Sequence, residues 1–214
     1  MKSFVIAIDG HEKSQQAADR CIESGKRYGW DIQKFSAITP HQDIFAICER
    51  IGIDSTRFIG KYSKTPNSIA AFLSHYTLWK SCIEHNEPFA IFEHDAVLQN
   101  SPPPPPTFVG NIGQPSYGKF NTPSTLGWGE LCSKPYFPGA HAYIVTPIGA
   151  SVLCIEAKDE AMTTDVYLDK RRFNFLQEYY PWIATADDSF TTIQEETGCL
   201  AKHNYDKEFE IVDV

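Results

Sequence analysis

The feature that most constrains the fold is a long amphipathic segment that leads directly into a short apolar run. Residues 68–85, SIAAFLSHYTLWKSCIEH, place large apolar side chains at spacings of three and four, which predicts a helix with a wide buried stripe. Pro66-Asn67-Ser68 supplies a predicted N-terminal cap. The run FAIF at 89–92 predicts a buried strand. A helix with this stripe must pack against other elements, so a layered core is expected.

The same alternation begins at the N-terminus. The apolar run at 4–8 predicts a buried strand that stops at the turn signal Asp9-Gly10. A helix ending at Gly25 or Gly29, a strand in DIQKFSAI and a short helix ending at Gly52 follow. Farther along, AYIVT predicts a strand, PIGASVLCIEA a helix and TTDVYLDKRRF a short helix. This order favours an α/β architecture with a mixed, mostly parallel sheet flanked by helices.

Composition limits the classes of protein. The chain has 214 residues, of which 42% are hydrophobic, so a single domain over 1–214 is expected. A net charge of −8 disfavours nucleic-acid binding. No segment approaches a membrane span, and no secretion signal is evident, so we expect a cytoplasmic protein. Its six cysteines contain no C-x-x-C pair, which favours reduced thiols over a zinc site.

The middle of the chain interrupts the alternation. Five consecutive prolines, 102–106, predict an extended segment that is better suited to a spacer than to a partner motif. A Gly/Pro/Ser-rich region at 110–140 is long for a loop, and its aromatic side chains favour an ordered one. We expect this region to lie on the acceptor side of a site and to set the choice of acceptor. Within it, Trp128 could stack on a sugar or pin the loop. The tail at 203–214 is acidic.

The apolar run at 89–92 ends in Glu93-His94-Asp95. Residues two apart in an extended chain point to the same side, so Glu93 and Asp95 are predicted to face one pocket while His94 faces away. Ligands collect at the carboxyl ends of such strands. Paired carboxylates there suit Mg²⁺ or Mn²⁺ shared with substrate phosphates. The alternative is that these acids simply end a strand in water.

Three blocks together carry a family resemblance. The segment IAAFLSHYTLWKSCIEHNEPFAIFEHDAVL resembles the signature of glycosyltransferase family 25, a helix followed by a strand that ends in an acidic triplet. PGAHAYIVTPIGASVL and TTDVYLD resemble two later blocks of that family in the same order. The family includes lipooligosaccharide and collagen galactosyltransferases. The resemblance covers most of residues 1–195.

The resemblance implies a nucleotide-sugar-binding fold of GT-A type and a divalent cation, Mn²⁺ or Mg²⁺, held by Glu93 and Asp95. It implies transfer of a hexose such as galactose from a UDP-sugar to a hydroxyl of a glycan or glycosylated acceptor, with inversion, as in lipooligosaccharide biosynthesis. Asp165 is the candidate base or metal neighbour. The other candidates for catalysis or the donor pocket are Asp187, Asp188, Asp9, Ser74, His75 and His141.

Other interpretations stay open. The central acid of the family triplet is His94 here, and basic residues after the first strand are sparse. These departures favour, as one alternative, an inactive glycosyltransferase-like protein that binds a sugar or nucleotide. Another is a structural or partner-binding protein that uses the aromatic loop and the prolines. Individually, His75 and Trp79 fit a packed core, and His141 fits either the site or the packing behind it.

Overall fold

A computed structural model describes residues 1–58, 63–116, 118–138, 140–187, 189–193 and 210–214. Its strands are β1 Lys2–Ala7, β2 Ile32–Ser36, β3 Phe89–Glu93, β4 Ala96–Leu98, β5 Val109–Asn111, β6 Gly127–Glu130, β7 Ala142–Val145, β8 Gln177–Tyr180, β9 Ala184–Ala186, β10 Phe190–Thr191 and β11 Glu210–Ile211. Its α-helices are α1 Glu12–Lys26, α2 Ile44–Ile51, α3 Thr65–His85, α4 Pro147–Glu160 and α5 Thr164–Tyr167. A single 3₁₀ turn is described at Ser55–Arg57.

A seven-stranded mixed sheet, in the order β2-β1-β3-β7-β5-β8-β6, forms the centre of the protein. Strands β2, β1 and β3 are parallel, and β5 and β8 run in their direction across the antiparallel β7. Strand β6 closes the edge antiparallel to β8. The α/β class with helices around a mixed sheet is therefore confirmed. The parallel character is concentrated in the N-terminal half, because β7 and β6 reverse the direction.

The sheet separates two apolar cores. Successive side chains of a strand point to opposite faces, and β3 shows this directly: Phe89 and Ile91 join one cluster, whereas Ala90 and Phe92 join the other. The first cluster packs under α2, α3, α4 and α5. The second packs under α1 together with β4 and β9. Burial on both faces explains why β3 is an uninterrupted apolar run in the sequence.

Helix α3 lies against the sheet and is covered by α4, so most of its circumference is buried. It begins at Thr65, and its N-cap Lys64 makes no side-chain cap bond. The predicted cap at residues 66–68 is therefore wrong, because Pro66 already occupies the first turn, where its missing N–H costs nothing. The helix ends as expected before strand β3, with Asn86 in the left-handed region at φ 50°.

The region at 110–140 is more regular than a loop. It holds the end of β5 and all of β6, which extend the sheet beyond β7. The indole of Trp128 donates to the carbonyl of Pro104 at 2.7 Å and packs over Gly110, where a Cβ would lie 2.1 Å from the ring. Trp128 thus pins the proline segment to the sheet, the second of the two roles considered for it.

Further expectations concern cysteines, membrane spans and the tail. All five cysteines in the described ranges are free thiols, four of them buried, and Cys199 lies outside those ranges. No described helix is long and apolar enough to cross a membrane. Of the acidic tail, residues 210–214 are described, and β11 pairs with β10 in parallel. The single-domain assignment of 1–214 stays a prediction.

Candidate functional site

A cavity of about 380 Å³ opens where β1 and β3 end. Five of the predicted site residues line it, namely Ser74, His75, Glu93, His141 and Asp165, and so does the predicted metal ligand Asp95. Helix α3 forms one wall, α5 a second, and residues 190–193 and Val214 a third. This is the position at which open α/β sheets bind ligands, outside the carboxyl ends of parallel strands. The fold therefore gathers candidates that are up to about 90 residues apart in sequence into one cavity.

The acidic triplet lies at this edge, but its geometry differs from the prediction. Strand β3 ends at Glu93, and His94 and Asp95 form a turn before β4. Because the extended conformation stops, the alternation of sides stops with it, and His94 lines the cavity together with both acids. The prediction that His94 faces away is wrong. Its ring stacks on Phe190 at 5.1 Å, and its Nδ1 lies 3.0 Å from the Ser14 hydroxyl.

Glu93 is held by a chain of buried hydrogen bonds. The indole of Trp79 donates to the Tyr143 hydroxyl at 2.8 Å. That hydroxyl directs its own proton at Nδ1 of His75, 2.9 Å away. Nε2 of His75 then carries the ring proton and donates to Oε1 of Glu93 at 3.2 Å. The chain fixes one tautomer of His75 and orients a carboxylate whose side chain is 29% exposed toward the cavity.

The protonation states agree with this arrangement. Burial lowers the pKa of His75 to about 3, although the nearby Asp165 carboxylate opposes the shift. His75 is therefore neutral near pH 7, as a ring that accepts at Nδ1 and donates at Nε2 must be. Burial also lowers the pKa of His141 to about 4. For His94, desolvation first and then the positive charges of His11 and Arg20 lower the pKa to about 4.

Two predicted donor-site residues have structural partners. The Ser74 hydroxyl donates to the carbonyl of Ala70 at 3.0 Å and accepts the Ile38 amide at 2.8 Å, so it ties α3 to the segment after β2. Asp9 is exposed beside Gly10, which has a φ of +73°, and accepts a hydrogen bond from the Ser36 hydroxyl. Asp9 does not line the cavity. The turn interpretation of Asp9 thus has direct support.

The candidate bases lie at different places. Asp165, in the first turn of α5, lines the cavity, and its Oδ1 accepts the Val166 amide at 2.8 Å. Asp187 lies outside the cavity wall and pairs with Arg20 at 2.7 Å, while its amide donates to the Asp95 carbonyl. Asp188 lies outside the described residues. Of the two described acids, Asp165 lines the cavity and Asp187 does not.

The candidate metal-ligating side chains fit a hard divalent cation only in part. Glu93 and Asp95 offer carboxylate oxygens on one cavity wall, and such cations accept one or two carboxylates when substrate phosphates complete the shell. Within the described ranges, no group of three or more His, Cys, Asp or Glu side chains is arranged to hold a metal. The residues therefore fit a cation that arrives with a diphosphate better than a preformed, all-protein metal cage.

Sequence reasoning missed the partners that position these groups. Tyr143 was part of a predicted strand, and no role was foreseen for its hydroxyl. Phe190 and Val214 follow segments without a clear periodicity, yet both line the cavity. A signal for Tyr143 does exist, because Tyr143 is two residues after His141 in a family-like block. A tyrosine hydroxyl on a fully buried strand needs a partner inside the protein.

Comparison with known families bears on this cavity. Residues 1–102 match the family model described as glycosyltransferase family 25 (LPS biosynthesis protein). The resemblance to glycosyltransferase family 25 is confirmed over these residues. The matched range includes α3, β3, Glu93 and Asp95, and it ends before His141 and Asp165. No curated protein matches the chain.

The matched family is one of glycosyltransferases, enzymes that act on a sugar donor and an acceptor. It covers the part of the fold that supplies the carboxylates and His75. The two later blocks, with His141 and Asp165, are joined to that part by the fold, since both residues line the same cavity.

Proposed function

We propose that the chain transfers a hexose such as galactose from a UDP-sugar to a hydroxyl of a glycan or glycosylated acceptor, with a divalent cation at Glu93 and Asp95. The observation that carries the proposal is the shared cavity: both carboxylates, the neutral His75 beside them and Asp165 line one space of about 380 Å³. That volume lies in the range of small-molecule sites. The family match to residues 1–102 supports the reaction class.

In this proposal Mn²⁺ or Mg²⁺ supplies Lewis-acid stabilisation of the diphosphate leaving group. Glu93 and Asp95 hold it through their carboxylates, and His75 keeps Glu93 in one orientation. The GT-A assignment belongs to the same proposal. It is supported by the position of the cavity at the ends of β1 and β3.

Asp165 is the proposed general base for the acceptor hydroxyl. It lies in α5 and lines the same cavity as Glu93. Attack assisted by a base on the face of the sugar opposite the leaving group inverts the anomeric centre. The Asp165 carboxylate is close enough to His75 to raise its pKa, so the charge of Asp165 acts on the residue that orients Glu93.

The test is release of UDP from UDP-galactose and UDP-glucose, with Mn²⁺ or with a chelator, by the wild type and by Asp165→Asn. Asp159→Asn, an exposed acid on α4, is the matched control. We expect release that requires the cation, falls about 100-fold or more in Asp165→Asn and is unchanged in the control. Cation-dependent binding of UDP without any release would instead favour the inactive, nucleotide-binding alternative, which the His94 substitution in the triplet motivates.

A further inference from the structure

A second cavity adjoins the first. It has a volume of about 310 Å³ and is formed by residues 119–121 and 133–136, hereafter the side cavity. Tyr136 lines both spaces, so the side cavity lies next to the first one. Neither the family match, which ends at residue 102, nor any predicted site residue accounts for it.

The side cavity is locally basic in an acidic protein. Lys119 and Lys134 both line it, and neither has an ion-pair partner among the residues that the structure describes. The Lys134 ammonium lies 5.9 Å from the centre of the Tyr136 ring. Partial burial lowers the pKa of Lys134, which marks an ammonium that has lost water without gaining a counter-charge.

A buried hydroxyl in the same wall independently indicates a ligand. Ser133 is 3% exposed, and its Oγ has no hydrogen-bond partner among the described residues. Such groups are normally satisfied, because an unmade bond in the interior is costly. Its amide is already committed to Glu178 Oε1 at 2.7 Å, and Glu178 itself does not line the side cavity. The hydroxyl is therefore an unmet hydrogen-bonding group of a residue that lines the side cavity.

We propose that the side cavity binds a carboxylate or phosphate group of the acceptor glycan, held by Lys134, Lys119 and the Ser133 hydroxyl. Charge-assisted bonds from two ammonium groups favour an anion over a neutral hydroxyl. Tyr136 lines the side cavity beside the Lys134 ammonium. The chain carries a net charge of −8, so an anionic acceptor needs a local basic site to approach it. The assignment to an acceptor rests on the proposed function, whereas anion binding itself does not.

The experiment is ligand-observed NMR titration, without nucleotide and with a chelator present, of three probes: methyl glucuronide, glucose 6-phosphate and neutral methyl glucoside. We expect the anionic probes to bind about 10-fold or more tightly than the neutral one. Lys134→Gln should lose that preference, Lys134→Arg should keep it, and Ser133→Ala should weaken it. Lys158→Gln, an exposed lysine on α4, is the matched control and should behave as the wild type.

The outcomes separate this site from the donor site. Equal binding of all three probes, or the same preference in Lys134→Gln as in Lys158→Gln, would overturn the proposal. A preference for only one of the two anions supports the site and identifies which anionic group it takes. Because the NMR titration contains no nucleotide, a negative titration does not bear on the UDP-release assay. A negative UDP-release assay likewise does not affect the titration result.

Discussion

Replacing Tyr143 with phenylalanine tests the buried chain that positions Glu93. The change removes one hydroxyl oxygen and leaves two groups without partners, the Trp79 indole N–H and Nδ1 of His75, whose residues are 0% and 1% exposed. An unsatisfied buried group costs about 1–3 kcal/mol. The free energy of unfolding should therefore fall by about 2–6 kcal/mol, which is far more than the loss of the oxygen's packing contacts alone would cause.

Urea denaturation of wild type and Tyr143→Phe measures this difference. Tyr28→Phe, which removes the hydroxyl of an exposed tyrosine, is the control and should change the free energy of unfolding by less than about 0.5 kcal/mol. Without the hydroxyl, Nδ1 of His75 has no donor to accept from, so the ring is no longer held in the tautomer that donates its Nε2–H to Glu93. UDP binding with Mn²⁺ should then weaken about 10-fold. A Tyr143→Phe protein as stable as Tyr28→Phe would refute the hydrogen-bond chain.

Acidification should destabilise the protein through its buried neutral histidines. The pKa values of His75, His141 and His94 lie at about 3, about 4 and about 4, below the ordinary 6.5, so the unfolded state takes up the protons and stability falls as pH drops below about 6.5. Between about pH 7.5 and pH 5.5 these three residues should together lower the free energy of unfolding by about 4 kcal/mol in urea denaturation. The exposed His41→Gln should not alter this effect, and a flat profile would contradict the burial of the three rings in the neutral form. Gly110→Ala should destabilise the protein by about 1–3 kcal/mol, because its Cβ would meet the Trp128 indole packed over it. Gly129→Ala is the comparison, since Gly129 has room for a Cβ. Equal destabilisation by the two substitutions would show that the Trp128 indole can move aside without cost.

The elements near the N-terminus could be predicted because local pattern and tertiary role agree there. Strand β3 is apolar on both faces since helices cover both, and α2 ends at Gly52 in the left-handed region, as its sequence indicates. Strand β6, GWGE, carries no alternation of apolar and polar residues. It is held by pairing with β8, some 50 residues later, which no local pattern reveals.

The candidate site likewise has features that the sequence could predict and features that it could not. Its chemical groups could be named from the sequence, because Glu93, His141 and Asp165 stand in recognisable segments. Their orientation could not, since it depends on where β3 stops and on a contact between Trp79 and Tyr143 that joins a helix to a distant strand. The alternation rule failed at His94 for this reason: one residue of turn in place of strand redirects the side chain.

The central claim is that Glu93 and Asp95 hold a cation together with a nucleotide diphosphate. Calorimetric titration of UDP into the wild type and into Asp95→Asn, with Mn²⁺ and with a chelator, tests it most directly. We expect binding that requires Mn²⁺ in the wild type and is weakened about 10-fold or more in the variant. Binding of equal strength with and without the cation, or in both proteins, would contradict a metal-diphosphate site at the end of β3.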